Sequence, residues 1–471
     1  MSDAAGASCR PTKRPRPSES AEDLRERAKR LWAQDGDLAR VEALLRESLA
    51  VATASKHDSE EDDRNNAEVA TTDAATDALA LLCAQSDHAS KRGEAVRLMQ
   101  SANYLARLSS EVLWYNTAAA AATSATAALT QEDLFCLPLR VIDQALPITC
   151  LQALQQSFCS DDCDYWTSHD YSVYPPSPYF SYVAPLHPPS EDGQTVGAAS
   201  PNMPSSMVAG PLGQLIDTVR RHAEANFEGV EVARFAEVWA HRRPHCSGHQ
   251  LHFDSDNEGI GGAASIRNPL VSAVCYLTEE GLGGPTLVTD QCLGDRGLAQ
   301  NGWLAFPKLN RLVIFDGQVL HGVIPGRGHP TAKSSSGANK KRVTVMVALW
   351  DDIRIRNGHG PGAARPMPLT TTGTAVHLRT NHSADGGHQV PKWASELLVD
   401  DFENSGGGGG TPSSNNAGGG GGDSAAAAVA VLAENELLTA PLCVSNVWTR
   451  LDGTPLSDGE TPHYNRVFQG F

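Results

Sequence analysis

Residues Gly248–Gly259 read GHQLHFDSDNEG, with two histidines and three carboxylates, Asp254, Asp256 and Glu258, crowded together. Three readings compete: a metal site, an acidic calcium-type loop and a polar turn between strands. A calcium loop needs an ordered series of oxygen ligands at set positions. This stretch lacks that series, and His252 is a poor ligand for a hard cation. His252-Phe253-Asp254 offers a different arrangement. On a β-strand, residues i and i+2 point to one side, so imidazole and carboxylate reach one ion together. His249, three residues before His252, then faces the other side and reads as structural or as a support behind a ligand. Asp256 shares the parity of Asp254 and reads as hydrogen-bonding a ligand or capping a turn.

Downstream, RLVIFDGQVLHGVIPG (Arg311–Gly326) places His321 just after a strong strand, 67 residues beyond Asp254. Two histidines and one carboxylate make a facial triad that holds Fe(II) and leaves positions open for an oxidant and O2. Zinc accepts such a set too, but it leaves the next feature unexplained. KKRVTVMVALW opens a strand with Arg342, and a guanidinium forks onto a carboxylate. The far end of a dicarboxylate co-substrate bound to the iron requires such a group. Between these motifs, Gly283-Gly284-Pro285-Thr286 reads as a tight hairpin turn into the next strand. Tyr276 is either core or a hydroxyl donor to the co-substrate. Cys275 reads as a buried strand residue and Asp316 as a turn residue.

His252-x-Asp254, YLTEEGLGGPTLV, LVIFDGQVLHGVIPG and the strand-initial Arg342, in that order, resemble the 2-oxoglutarate/Fe(II)-dependent dioxygenase family, most closely its prolyl-4-hydroxylase-like branch. The resemblance covers residues 130–355 and implies a double-stranded β-helix, or jelly-roll, with an iron pocket at one end. It implies His252, Asp254 and His321 as metal ligands, and Arg342 with Tyr276 as 2-oxoglutarate contacts. The cofactors are Fe(2+), 2-oxoglutarate as co-substrate and O2, with L-ascorbate as a further candidate. The implied activity hydroxylates a C–H bond, with succinate and CO2 as co-products. A protein side chain such as proline is the expected substrate, a small molecule the runner-up. The competing reading is a non-catalytic jelly-roll scaffold with a helical binding module. One departure stands out: Arg342 follows His321 by 21 residues, further than the family's usual spacing. Arg327 is the rival anchor, in a Gly- and Pro-flanked loop that reads as exposed. Lys340 and Lys341 are weaker alternatives.

The rest of the chain sets the context. Short β-type runs between residues 250 and 352, punctuated by Gly, Pro, Asn and Asp, predict a sandwich or barrel. The overall class is α+β, a jelly-roll core behind an N-terminal α-helical region. Residues 1–20 read as a disordered basic tail whose Lys13–Pro17, KRPRP, is either a nuclear-import signal or a plain basic patch. Residues 21–128 read as helical, with breaks near Gly36 and Ser86–Gly93, and an acidic insert, HDSEEDDRNN, expected as a loop. Two helix pairs there resemble tetratricopeptide repeats or, equally, a generic bundle packed on the next domain. Residues 129–356 form the dioxygenase domain, 357–438 a mostly disordered Gly/Ala-rich linker, and 439–471 a segment expected to dock on the core. With 55 acidic against 38 basic residues and a net charge of -17, charge-driven nucleic-acid binding is disfavoured. Ten cysteines without a recurring CxxC pair and no apolar leader point to an intracellular protein, in cytoplasm or nucleus. No stretch approaches the roughly 18 apolar residues of a membrane helix.

Overall fold

The computed structural model describes residues 19–34, 36–58, 62–115, 137–160, 163–169, 171, 180–186, 208–256, 266–295, 297–330, 341–355, 364–368, 392–398 and 436–454. Four helices open it: α1 (Ala21–Ala33), α2 (Leu38–Asp58), α3 (Asp62–Ala84) and α4 (Ala89–Ser101), each packed on the next. Ser20 starts α1 because its hydroxyl accepts from the Asp23 amide while the Asp23 carboxylate accepts from the Ser20 amide. Leu24, Ala28 and Trp32 then form the buried stripe of α1. The chain reverses at Gly36, where a Cβ would sit 2.6 Å from the Leu31 carbonyl oxygen. The second break falls at Gln85–His88. Much of the acidic insert, expected as a loop, is helical: residues 57–58 end α2 and residues 62–66 open α3, while residues 59–61 lie outside the described residues. Charge density misled that reading: acidic residues favour a helical first turn as readily as a loop. The basic Lys13–Pro17 tail lies outside the described residues.

A short strand, β1 (Ala106–Leu108), and one helical turn, α5 (Ser110–Leu113), lead to the sheets. The strands that follow are β2 (Leu139–Asp143), β3 (Tyr182–Pro185), β4 (Phe235–Arg243), β5 (His249–His252), β6 (Val271–Tyr276), β7 (Thr286–Cys292), β8 (Gly302–Ala305), β9 (Arg311–Asp316), β10 (Val319–Val323), β11 (Arg342–Trp350), β12 (Arg365–Pro366), β13 (Leu437–Leu438), β14 (Leu442–Val444) and β15 (Trp448–Arg450). Apart from β15, which pairs with β1, they form an eight-stranded sheet, ordered β12-β3-β4-β11-β6-β9-β2-β13, and a five-stranded sheet, ordered β14-β8-β7-β10-β5. From β4 to β11 the chain passes between the two sheets at every connection except β7–β8. This is a jelly-roll.

That alternation corrects two expectations. The Gly-Gly segment is not a hairpin, because β6 and β7 lie in different sheets. Gly283 takes φ 77, and a Cβ on Gly284 would lie 2.0 Å from the Ile324 carbonyl oxygen. Glycine is needed there because the crossing chain presses on the end of β10. Nor does His321 merely follow a strand, and it does not share a sheet with β11. β11 pairs with β4 and β6, while β10 belongs to the opposite sheet and carries His321 in its middle.

Both faces of the jelly-roll are covered, so its strands read as near-continuous apolar runs. On the larger sheet lie α6 (Ile148–Phe158), the single turn α7 (Asp164–Thr167), α8 (Gly210–Asn226) and α9 (Lys392–Leu397). β12 and α9 fall inside the stretch expected as linker. There Trp393 is buried against Tyr165 and Tyr182, and Asp164 accepts from the Lys392 and Trp393 amides. On the smaller sheet lie the N-terminal helices: Leu24, Leu44 and Leu79 share one apolar cluster with Leu251, Leu287 and Leu320. The C-terminal strands stitch the layers together, β13 on β2, β14 on β8 and β15 on β1.

Arg327 sits in this seam, not in an exposed loop. Its Nη1 donates to the Tyr115 carbonyl at 2.7 Å and its Nη2 to Asp87 at 2.9 Å. The guanidinium also lies over the Trp114 ring. Tyr115 donates its hydroxyl to the Pro325 carbonyl. The sequence shows the flanking glycines but not the helices that cover them. Arg327→Ala is therefore expected to loosen the helical unit, lowering stability by about 1–3 kcal/mol. A reduced urea midpoint, with early protease cleavage near residues 85–115, is the readout. An unchanged midpoint would show that Arg327 does not hold the seam.

Candidate metal centre

β5 ends at His252, and Asp254 lies two residues past the strand. The carboxylate is therefore fixed by side chains and not by the strand itself. Ser272 on β6 donates its hydroxyl to Asp254 Oδ2 at 2.6 Å, and Asn268 donates to the Asp254 carbonyl at 2.6 Å. His321 faces His252 directly across the β10–β5 pairing, which brings their ring centroids to 4.4 Å. Asp254 Oδ1 lies 3.3 Å from His252 Nε2, and Oδ2 lies 3.6 Å from His321 Nε2. One donor atom from each of the three residues falls within 4.8 Å of the others, so the structure brings His252, Asp254 and His321 to one point.

The imidazoles are oriented from behind. His252 Nδ1 lies 2.8 Å from the Gln250 carbonyl, and His321 Nδ1 lies 3.0 Å from the Val319 carbonyl. A carbonyl can only accept, so each Nδ1 carries the hydrogen and each Nε2 lone pair points into the cavity. Burial alone would push Asp254 up, yet His321, His252 and Ser272 hold it far below the usual carboxylate range. Burial also opposes charge on His252, but its contact with Asp254 wins and raises it. In His321 burial dominates and takes the ring down to about 4. An ionised carboxylate with two imidazole nitrogens is a donor set for Fe(II).

The centre opens into a cavity of about 520 Å³, a size suited to a small ligand. Arg342 lines it from β11, 3% exposed. Its Nη1 donates to the Gly284 carbonyl at 3.3 Å, and its Nε is buried with no hydrogen-bond partner. Burial pulls Arg342 below the usual guanidinium range. A buried cation without a counter-charge is strongly disfavoured, so this end of the cavity suits a carboxylate. Tyr276 lines the cavity beside it, its hydroxyl 2.6 Å from Thr286 Oγ1. Lys341 does not line the cavity, and Lys340 lies outside the described residues.

Other expectations fare differently. Cys275 is buried, and Asp316 accepts from the Gln318 amide in the β9–β10 turn. Among the described residues, the Asp256 carboxylate accepts no hydrogen bond, from a metal ligand or from a turn amide. Its buried carboxylate lies 3.4 Å from Arg354 Nε and 3.8 Å from Arg267 Nε. His249 does not face away from the cavity; its ring centroid is 4.7 Å from that of His252. Between His252 and His249, β10 advances two residues where β5 advances three. This irregularity reverses the parity. Trp239, His241 and Arg243 also line the cavity, all from β4, which the sequence reading left unassigned. Its signal was present in FAEVWAHRR: odd-numbered residues from Trp239 face inward, and Val238 and Ala240 face the outer helices.

No protein-family model and no curated protein matches the chain. Among solved structures, similar ones include a prolyl-4-hydroxylase of Pseudomonas putida, 17% identical over 47% of this chain and 92% of that one, with a TM-score of 0.27. HygX from Streptomyces hygroscopicus, with nickel and 2-oxoglutarate bound, is 14% identical over 47% of this chain and 87% of that one, TM-score 0.25. The non-heme alpha-ketoglutarate-dependent carbocyclase SnoK from nogalamycin biosynthesis is 8% identical over 48% and 85%, TM-score 0.27. Among the described residues, no helix is long and apolar enough to cross a membrane.

Proposed function

We propose that the protein is an Fe(II)- and 2-oxoglutarate-dependent dioxygenase that hydroxylates a C–H bond, most simply on a protein side chain such as proline. One observation carries the reading: two imidazoles and one ionised carboxylate converge at one point of a cavity whose wall also holds a buried guanidinium with an unpaired Nε. His252, Asp254 and His321 would hold the iron. Arg342 and Tyr276 would take the far carboxylate of 2-oxoglutarate. When bound, iron, 2-oxoglutarate and O2 would supply the oxidation, one oxygen atom of O2 going to the C–H bond and the other to succinate, with CO2 released. The chain's own work is to orient the donors through Gln250, Val319 and Ser272, and to keep water from the cavity with the apolar walls of Phe315, Val274 and Met346. The helical unit is read as tetratricopeptide-like and as a holder for a peptide substrate. A small-molecule substrate is the second reading, favoured by a cavity of a size that suits a small ligand.

The test is succinate release from 2-oxoglutarate by the full chain with no other substrate present. Release is expected to require added Fe(II) and to stop with a chelator. No iron-dependent release, together with no metal binding by calorimetry, would leave the non-catalytic scaffold as the better account.

A further inference from the structure

Arg243 has no part in the reading above, yet it is built into the same cavity. Its Cα is paired with that of Arg342 across β4 and β11, and it is 8% exposed. Its Nε is buried with no hydrogen-bond partner, and among the described residues it forms no ion pair. Like charges directly opposite each other destabilise a sheet, and a buried cation without a partner costs several kcal/mol. Among the described residues, the cavity thus presents two guanidinium groups to a single carboxylate, Asp254, which two histidines already engage.

One dicarboxylate co-substrate does not balance both. Arg342 is committed toward β7: its Nη1 is on the Gly284 carbonyl, and its Cδ packs where a Gly283 Cβ would be. Arg243 lines the cavity from β4, on the same strand face as His241, and His249 lies beside His241. Those two rings are 5.4 Å apart, and His249 is 4.7 Å from His252. Burial first, and then the charge of Arg243, push His241 well below its ordinary value. The His241 imidazole is therefore a neutral hydrogen-bonding group, and His249 lines the cavity beside it.

We infer that Arg243, His241 and His249 form a second anion subsite, and that the molecule oxidised at the metal carries a carboxylate that binds there. This rests on the proposed function and narrows its substrate to acids. The acid is either free or an acidic side chain near the oxidised carbon; the shared chemistry is the carboxylate.

The experiment uses the full chain loaded with Ni(II) and saturated with 2-oxoglutarate, titrated in a calorimeter with two probe pairs. One pair is N-acetyl-L-proline and its neutral amide. The other is a blocked pentapeptide with glutamate beside proline and its glutamine twin. In at least one pair the acid is expected to bind about tenfold tighter or more, as a charge-assisted contact gives; which pair does so tells a free acid from an acidic peptide. Arg243→Met should remove the preference, and Arg243→Lys should keep part of it. Replacing an unpaired buried charge by a similar-sized apolar group does not lower stability, so an unchanged Tm separates lost binding from misfolding. Acid and neutral probes binding alike, or neither binding, would overturn the subsite. So would Arg243→Met weakening 2-oxoglutarate as much as Arg342→Ala does, because both arginines would then serve the co-substrate. Wild-type protein that fails to bind 2-oxoglutarate at all would overturn the proposed function itself.

Discussion

Asp254→Ala protein is expected to show no detectable Ni(II) or Fe(II) binding and no iron-dependent succinate release, while Ser272→Ala binds metal about 10–100-fold more weakly than wild type. The asymmetry follows from charge. Among the described residues lining the cavity, Asp254 is the one carboxylate, so its removal leaves a dication facing two imidazoles and two guanidinium groups with no anion from that set. Ser272 only holds that carboxylate in place through one hydrogen bond. A thermal-shift series reads both variants without relying on turnover. A ligand present at 100 times its Kd stabilises a folded protein by about 2.7 kcal/mol. Wild-type Tm should therefore rise with Ni(II), Ser272→Ala should need more metal for the same rise, and Asp254→Ala should not respond. An undiminished response in Asp254→Ala would place the metal elsewhere.

The reach of the sequence can be traced residue by residue. His252, Asp254 and His321 were legible because a metal triad demands particular donor types in a particular pattern, His-x-Asp followed by a distant His after a strong apolar run. Arg342 was legible for the same reason, as a cation opening a strand whose nine residues are all buried. What failed was anything decided by a partner distant in sequence. Strand order could not be read, so the Gly-Gly crossing between sheets passed for a hairpin. The parity of His249 depends on how β10 is stepped against β5, which no local pattern records. Arg327 looks exposed until α3, α5 and Tyr115 are packed over it. Arg243 was passed over because FAEVWAHRR carries charges at Glu237 and Arg242 that blur a strand buried on both faces. Glu237 is itself buried, accepting from the Ser181 hydroxyl, which explains how a carboxylate sits inside a central strand.

Arg342→Ala is the second variant with a large expected effect, and it separates co-substrate from metal. Arg342 lies between β4 and β6 in the larger sheet, whereas the triad is carried by β5, β10 and the turn after β5 on the other side of the cavity. Nickel affinity should therefore stay at the wild-type value. The affinity for 2-oxoglutarate should fall about 100-fold, because truncating one partner of a buried charge pair costs about 2–5 kcal/mol and each 1.4 kcal/mol is tenfold. Pyruvate supplies the control: it keeps the 2-oxo acid end but lacks the far carboxylate. If Arg342 acts on that carboxylate, pyruvate should bind wild type and Arg342→Ala alike. Arg342→Lys should recover only part of the loss, since a point charge replaces a bidentate fork. Equal weakening of pyruvate and 2-oxoglutarate would mean that Arg342 merely props the cavity wall against Gly283 and Gly284. Unchanged 2-oxoglutarate affinity would remove Arg342 from the site while leaving His252, Asp254 and His321 in place.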